Sequence, residues 1–441
     1  MKDAFRSVRG TSDLFPRFLA QRRRIENELR TAVELFGYTE IETPILEHSF
    51  LFERGLGQGS EVVSKEMFRI ESRGNASNNQ EDQVVLRPEN TASVLRAVLN
   101  AGLQHSLPLH VFYCGPQFRY ERPQKGRARE FHQFGVECIG RGSAMGDAEC
   151  ILTAVEGLKR LGLLNKTKLK MNTLGESEAS RQRYNQVLLD HFSQWNKTDL
   201  SAETKLRIKE KRILRALDSK SKLDVECIQT APNLIDYLPA GDVSRFNEVI
   251  AILRDEYKVD CEIELDTRLV RGLDYYSHTC FEFVSKEDGL TCLAGGRYDG
   301  LAKTLGYTRS PVPSIGWAAG LERLNLLLNH DREPPALSEV KLLLVPVYEG
   351  EASKDKSIRE TLARIAAKAR ADGVSARIWG GLFGDTGAVK KALKEADNIK
   401  ALGVCFLGSS EVQVNKVSIR DVAKGTVANV DIDSSPRSWI K

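Results

Sequence analysis

The chain has 441 residues, 41% hydrophobic and 28% charged, with 14 Pro and 34 Gly. That composition excludes collagen-like repeats and global disorder, and leaves room for about two or three domains with sizeable cores. Its 64 Lys and Arg against 60 Asp and Glu give a net charge of +4, too mild to declare a nucleic-acid binder, so any attraction for phosphate has to be local.

Cysteines at 114, 138, 150, 227, 261, 280, 292 and 405 form no C-x-x-C or Cys/His cluster. Reduced thiols in a cytosolic protein are expected, with neither a zinc site nor a disulfide framework. No apolar run approaches a membrane span, and MKDAFRSVRG lacks the apolar centre of a secretory signal. Arg6, Ser7 and Arg9 leave an organellar form open, with Asp3 against it.

Phe18, Ile25, Leu29, Ala32, Val33 and Phe36 recur at helical spacing before Gly37, predicting a long amphipathic helix. Tyr38 to Ile45 is a β-branched stretch in which Pro44 favours a strand end or sheet edge. Arg73 to Asp82 reads as an exposed hairpin loop. Two strands flanking a basic loop are expected between Leu109 and Gly140, with further strands at Cys261 to Leu269, Thr279 to Val284 and Thr291 to Leu293, all antiparallel. Between them, Glu178 to Tyr257 reads as a polar helical insertion carrying Lys205, Arg207, Lys209, Lys211, Arg212 and Arg215. Asp331 to Glu339, with Pro334 and Pro335, reads as a linker, after which strands and helices alternate as in a small α/β domain with a partly parallel sheet.

The stretch Phe131 to Ile139 carries the most information. With a period of two, His132, Phe134, Val136 and Cys138 share a mostly apolar face, while Phe131, Gln133, Gly135 and Glu137 share the other. A solvated sheet face is the common reading of such a strand. Here, however, Arg119, Arg122, Lys125, Arg127 and Arg129 precede it, and Arg119 closes an apolar strand instead of standing at a loop tip. Guanidinium forks suit phosphate oxygens, so cations beside an acceptor-bearing face suit a zwitterionic substrate together with a polyphosphate.

Arg271 to His278 forms a second cluster, in which Arg271 can neutralise charge on a transferring phosphoryl group. Its adjacent Tyr275 and Tyr276 read by default as one core and one surface residue, and His278 as a satisfied structural histidine. In Ser314 to Leu324, small residues every few positions read as a helix lying on a sheet. Leu86 to Thr91 reads as a strand-to-helix corner with Asn90 or Thr91 as the cap. Two decoys are set aside. Gly140 to Gly146 misses the G-x-G-x-x-G spacing by one residue and follows an antiparallel strand, while Gly55 to Gly59 lacks the Lys-Ser/Thr of a P-loop.

Taken together, the motifs resemble a known family. FRYERPQKGRAREFHQFGVE is similar to motif 2 of class II aminoacyl-tRNA synthetases, GYTEIETPIL to motif 1 and SIGWAAGLERL to motif 3. RGLDYYSHT and AGGRYDGL resemble the two signatures of the histidyl-tRNA synthetases, and LRPENT their substrate loop, with RPQKGR in the bacterial style. The resemblance implies an α+β fold: a class II antiparallel-sheet catalytic domain over 1–330 with a helical insertion at about 178–257, a linker at 331–340, and a C-terminal α/β anticodon-binding domain over 341–441.

By the same resemblance, Glu89, Thr91 and Gln133 hold the histidine amino group, and Glu137 with Tyr276 the imidazole, Tyr275 belonging to the same histidine-binding set. Arg119 and Arg271 are the catalytic contacts to the α-phosphate, Arg127 meets the distal phosphates, Phe131 and Arg323 sandwich adenine, and Arg122 and Gln124 approach the tRNA acceptor end. Three departures stand out: Asn90 where Gly is usual, Trp317 where a smaller residue is usual, and a longer loop around Asn75 to Gln80.

What the resemblance implies is a cytoplasmic, homodimeric histidine-specific ligase, paired through motif 1, with ATP, Mg²⁺, histidine and its tRNA as partners and no membrane. Its metal ligands are not indicated. Histidine would attack the α-phosphorus of ATP to give histidyl-adenylate, and tRNA would then take the acyl group at its 3′ end. A non-catalytic relative, such as the regulatory subunit of ATP phosphoribosyltransferase, typically lacks the motif arginines and the C-terminal domain that this chain keeps. A synthetase for another amino acid would not explain RGLDYY together with Glu137.

Overall fold

In the computed structural model, which describes residues 5–57, 60–71, 83–195, 200–210, 212–219, 221–270, 275–328, 340–348, 356–380 and 387–440, Pro16 opens helix α1 (Pro16–Glu34). Its fixed φ suits a first turn. Ile25, Leu29, Ala32 and Val33 are buried along one side, and Gly37, at φ +79°, follows the helix in the left-handed conformation that glycine tolerates. Phe18 does not join the apolar side and is 52% exposed, because α1 is buried only from Gln21 onward.

The expected strand through Ile45 is cut to β1 (Thr39–Glu40), and Pro44 separates it from β2 (Leu46–His48). Then come α2 (Ser49–Gly55), β3 (Val84–Leu86) and α3 (Thr91–Asn100). β4 (Leu109–Phe118) and β5 (Glu130–Ile139) form the expected hairpin around the basic loop. At the rejected glycine decoy, Ser143 caps α4 (Ala144–Arg160) by accepting from the Gly146 N–H at 3.1 Å. β6 (Thr167–Thr173) is absent from the sequence reading, although Thr167, Leu169 and Met171 alternate with Lys168 and Lys170 as a half-buried strand should.

Helices α5 (Glu178–Ser193), α6 (Ala202–Lys209), α7 (Ile213–Ala216) and α8 (Val225–Thr230) follow. Tyr184, Leu188, Phe192, Ile213, Ala216, Cys227 and Leu234 give them a core of their own. α9 (Ala240–Ala251), which falls inside the expected 178–257 insertion, packs Phe246, Val249 and Ile250 into the main core instead.

β7 (Glu262–Leu265), β8 (Ser277–Ser285), β9 (Thr291–Arg297), α10 (Leu301–Thr304), β10 (Ser314–Gly320) and α11 (Leu321–Leu328) complete the first unit. Ser314 to Gly320 is therefore a strand, and the helix expected there starts only at Leu321. Eight strands form one sheet in the order β1-β4-β5-β10-β9-β8-β6-β7. The centre is antiparallel, as expected. Both outermost pairs, β1 with β4 and β6 with β7, are parallel, because each is joined by a long excursion and not by a hairpin.

One face of this sheet packs under α1, α4, α9 and α11 through Phe134, Val136, Leu169, Phe281, Ile315 and Trp317. On the other face the facing positions are small. Gly135 of β5 pairs with Ala318, which pairs with Ala294, while Glu137 pairs with Gly316, which pairs with Gly296. A row of missing side chains makes a floor on which a ligand can lie.

The chain divides into two compact units, Met1–Pro334 and Pro335–Lys441. The expected linker falls outside the described residues except for Val340, as does the whole of the expected loop from Arg73 to Asp82. The second unit contains β11 (Leu342–Pro346), α12 (Lys356–Ala371), β12 (Ala376–Ile378), α13 (Ala388–Asn398), β13 (Gly403–Leu407), α14 (Ser409–Gln413), β14 (Lys416–Asp421) and β15 (Val427–Asp431). Its sheet, in the order β12-β11-β13-β14-β15, is parallel around β11 and antiparallel from β13 to β15, the partly parallel arrangement read from the sequence.

Candidate active site

A cavity of about 590 Å³ lies on the small-residue face of the large sheet. Glu89, Thr91, Arg119, Arg127, Phe131, Gln133, Glu137, Tyr275, Tyr276 and Arg323 all line it, so residues from 89 to 323 of the sequence converge on one space. Arg122 and Gln124 do not line it. They are exposed on the β4–β5 hairpin, whose tip is closed by paired backbone bonds between Gln124 and Arg127. Arg271 lies outside the described residues.

At one end stands Glu137, 1% exposed. Its Oε1 accepts from Thr91 Oγ1 at 2.8 Å and its Oε2 from the Tyr298 hydroxyl at 2.5 Å. Burial pushes this carboxyl up to about 8, the two hydroxyl bonds pull it down, and the nearby charge of Glu89 adds to the rise. A Cβ on Gly316 would overlap Glu137 Oε2 and the Val136 carbonyl, so only glycine leaves this carboxyl its place. Tyr275 packs its ring 4.8 Å from Tyr276 and 5.8 Å from Tyr298. Neither Tyr275 nor Tyr276 is a plain core or surface residue, since both are half-buried against the cavity. His278, expected to be satisfied, is buried with its Nδ1 lacking a partner among the described residues.

Tyr298 is a cavity-lining side chain that sequence reasoning misses. AGGRYDGL is legible as a signature, but nothing local says that its tyrosine bonds to a glutamate 161 positions away. Charged residues on either side fix it. Arg297 and Asp147 form a wholly buried ion pair. Asp147 also accepts from Arg245 at 2.9 Å and from Thr279 Oγ1 at 2.8 Å. Arg297 reaches Asp299 at 2.8 Å, and Asp299 accepts the Ser314 N–H at 2.8 Å. Asp147→Ala strands part of that charge in the interior and is expected to cost about 3–5 kcal/mol of stability, measured by urea unfolding of the full chain.

Glu89 sits nearby in the β3–α3 corner. Its carboxylate, and not Asn90 or Thr91, caps α3, accepting the N–H groups of Thr91 and Ala92 at 2.9 Å each. Burial raises its pKa and those backbone bonds oppose the rise. Asn90 instead accepts from Thr43 Oγ1 at 2.8 Å, which ties the corner to the motif 1 stretch. Gln133 presents a buried side-chain oxygen without a partner among the described residues, an acceptor suited to an ammonium group.

At the other end lie the arginines. Arg119 donates its Nε to the Pro88 carbonyl at 2.9 Å and holds its guanidinium 5.4 Å from the Phe131 ring centre. Glu121 stands between two of these cations, 4.0 Å from Arg119 and 3.1 Å from Arg127. Arg323 is anchored by bonds to the Gly126 and Thr291 carbonyls at 3.0 and 2.8 Å, and burial lowers its pKa. Trp317, the unusual residue of motif 3, points away from all of this and donates to Thr153 Oγ1 at 2.8 Å in the core.

Comparison with known proteins places the chain in a family. The family profile described as histidyl-tRNA synthetase matches residues 10–324. The histidine–tRNA ligase of Rhodospirillum rubrum is 39% identical over 424 residues, 96% of this chain and 95% of that one. The Gluconobacter oxydans histidine–tRNA ligase is 40% identical over 417 residues, 94% and 93% of the two chains.

The chain belongs to the histidyl-tRNA synthetase family.

Among solved structures, apo histidyl-tRNA synthetase of S. aureus superposes with a TM-score of 0.75 at 29% identity, covering 99% of this chain and 100% of that one. A Bacillus halodurans structure titled as an ATP phosphoribosyltransferase regulatory subunit/histidyl-tRNA synthetase shares the fold, with a TM-score of 0.62 at 22% identity over 92% and 99% of the chains. Histidyl-tRNA synthetase membership makes this an aminoacyl-tRNA synthetase with the class II antiparallel sheet.

Proposed function

We infer that this protein is a histidine–tRNA ligase, which activates histidine with ATP and transfers it to the 3′ end of its tRNA. The observation that carries this reading is a cavity with a buried carboxyl at one end and arginines at the other. A buried carboxyl that expects an imidazole N–H rejects amino acids lacking that donor, because its own hydrogen-bonding capacity is then left unmet.

Histidine lies with its imidazole toward Glu137 and Tyr276, beside Tyr275, and its amino group toward Gln133, Glu89 and Thr91. Its carboxylate attacks the α-phosphorus of ATP, the bond to the bridging oxygen breaks, and pyrophosphate leaves. Arg119 and Arg271 compensate the charge that grows on the phosphoryl oxygens, Arg127 holds the distal phosphates, and Phe131 and Arg323 enclose adenine. In the second step the terminal ribose hydroxyl attacks the histidyl carbonyl and AMP leaves, with Arg122 and Gln124 near the acceptor end. Mg²⁺ would come with ATP and would supply charge stabilisation for its phosphates. No group of three or more His, Cys, Asp or Glu able to hold a metal occurs among the described residues.

The second unit would read the anticodon, and two copies would pair through the motif 1 region, where Leu46 is 54% and Ile45 40% exposed. We place the protein in the cytoplasm. Among the described residues, no helix is long and apolar enough to cross a membrane. Amino-acid-dependent pyrophosphate exchange across a panel of amino acids tests the function. Exchange with histidine alone is expected. No exchange would indicate a non-catalytic relative, and exchange with another amino acid a different synthetase.

A further inference from the structure

Phe131 and Arg323 come from parts of the chain 192 positions apart, and stacking a flat base between them requires a fixed gap. The residues that adjoin them in sequence are bonded to each other. Glu322, in the first turn of α11, accepts the backbone N–H of His132 with both carboxylate oxygens, at 3.0 and 3.1 Å. Its Oε1 also lies 3.4 Å from His132 Nδ1. Arg22 of α1 brackets the same imidazole, its Nη1 3.0 and 3.2 Å from the two ring nitrogens.

The sheet explains why this N–H needs a partner from outside the ladder. The last β10–β5 pair is Gly320 with Gln133, so β10 has run out one residue before His132. A part-buried backbone donor at a strand end is costly to leave unmet, and the carboxylate at the start of α11 takes it. Glu322 itself lines the cavity.

We propose that Glu322 is a positioning residue which, by clamping the His132 backbone, fixes the gap between Phe131 and Arg323 and so sets the affinity for the adenine base. This rests on the reading that those two side chains enclose adenine. Glu322 meets no reacting atom. Because the base is held alike before and during phosphoryl transfer, loosening the clamp raises the ATP KM and leaves kcat nearly unchanged.

Histidine-dependent pyrophosphate exchange, with KM determined separately for ATP, histidine and pyrophosphate, tests this. Glu322→Ala should raise the ATP KM about tenfold while the histidine and pyrophosphate values stay within twofold. Glu322→Gln keeps one oxygen acceptor and should restore most of the loss, leaving a rise of two- to threefold. Should the alanine variant fail to fold, the glutamine variant decides alone. An unchanged ATP KM, or equal rises for all three substrates, overturns the proposal. Phe131→Ala separates it from the reading beneath: if that variant also leaves the ATP KM unchanged, the adenine site itself is misplaced, whereas a rise there without one in Glu322→Ala removes only the clamp.

Discussion

Arg119→Ala is expected to lower histidine-dependent pyrophosphate exchange by about a hundredfold or more, the loss typical of removing one preorganised donor from a developing anion. The side chain is prepared before any substrate arrives. It leaves the end of β4, is tied to Pro88 through Nε at 2.9 Å, and rests 5.4 Å from the Phe131 ring centre, with Glu121 4.0 Å away. Only its terminal nitrogens remain to meet phosphate. ATP binding should persist through Arg127, Phe131 and Arg323, so equilibrium binding and exchange must separate in this variant. Arg119→Lys should recover little, since an ammonium keeps the charge but loses both the Pro88 anchor and the two-point fork. By the motif resemblance, Arg271→Ala should behave alike. Exchange within a few-fold of wild type in the Arg119 variant would remove it from the chemistry.

How much of this is legible in the sequence depends on the distance over which the signal acts. The two faces of Phe131 to Ile139 are readable because alternation is local. Phe134, Val136 and Cys138 are indeed in the core, and Phe131, Gln133 and Glu137 line the cavity. Ser314 to Gly320 misleads because small residues at short intervals suit close helix packing as well as a ligand floor. Only the pairing of Gly316 with Glu137 and Gly296 shows which one applies. Pairing direction at the sheet edges leaves no trace in periodicity, which is why β7 reads as antiparallel and is not. Glu89 displaces Asn90 as the cap of α3 because its carboxylate reaches two N–H groups at once, while Asn90 is drawn off by Thr43, 47 positions away. Tyr298 is beyond local reading for the same reason.

Glu137→Gln should weaken histidine binding and strengthen the fold, and the two effects have one cause. A glutamine amide keeps a hydrogen-bond acceptor but no negative charge. When histidine binds, the acid can pass its proton to the imidazole and form a charge-assisted bond; the amide cannot, and losing that bond, worth roughly 1.5–3 kcal/mol, should raise the histidine KM about ten- to hundredfold, while the ATP KM hardly moves. An unchanged histidine KM would contradict the assignment. Stability should shift the other way with pH. The folded carboxyl titrates near 8 against an ordinary 4.5, so between those values the folded chain holds a proton that the unfolded chain has released. Unfolding then releases that proton, and stability falls as pH rises through the window. The amide of the variant has no such proton. The Tm of the variant relative to wild type should therefore increase from pH 5 to pH 8, and a constant difference would mean that the carboxyl is not perturbed. A buried acid that weakens its own fold at neutral pH persists because the same burial makes it selective: Thr91 and Tyr298 orient its two oxygens at 2.8 and 2.5 Å, and an imidazole is the side chain that can both donate to it and share its proton.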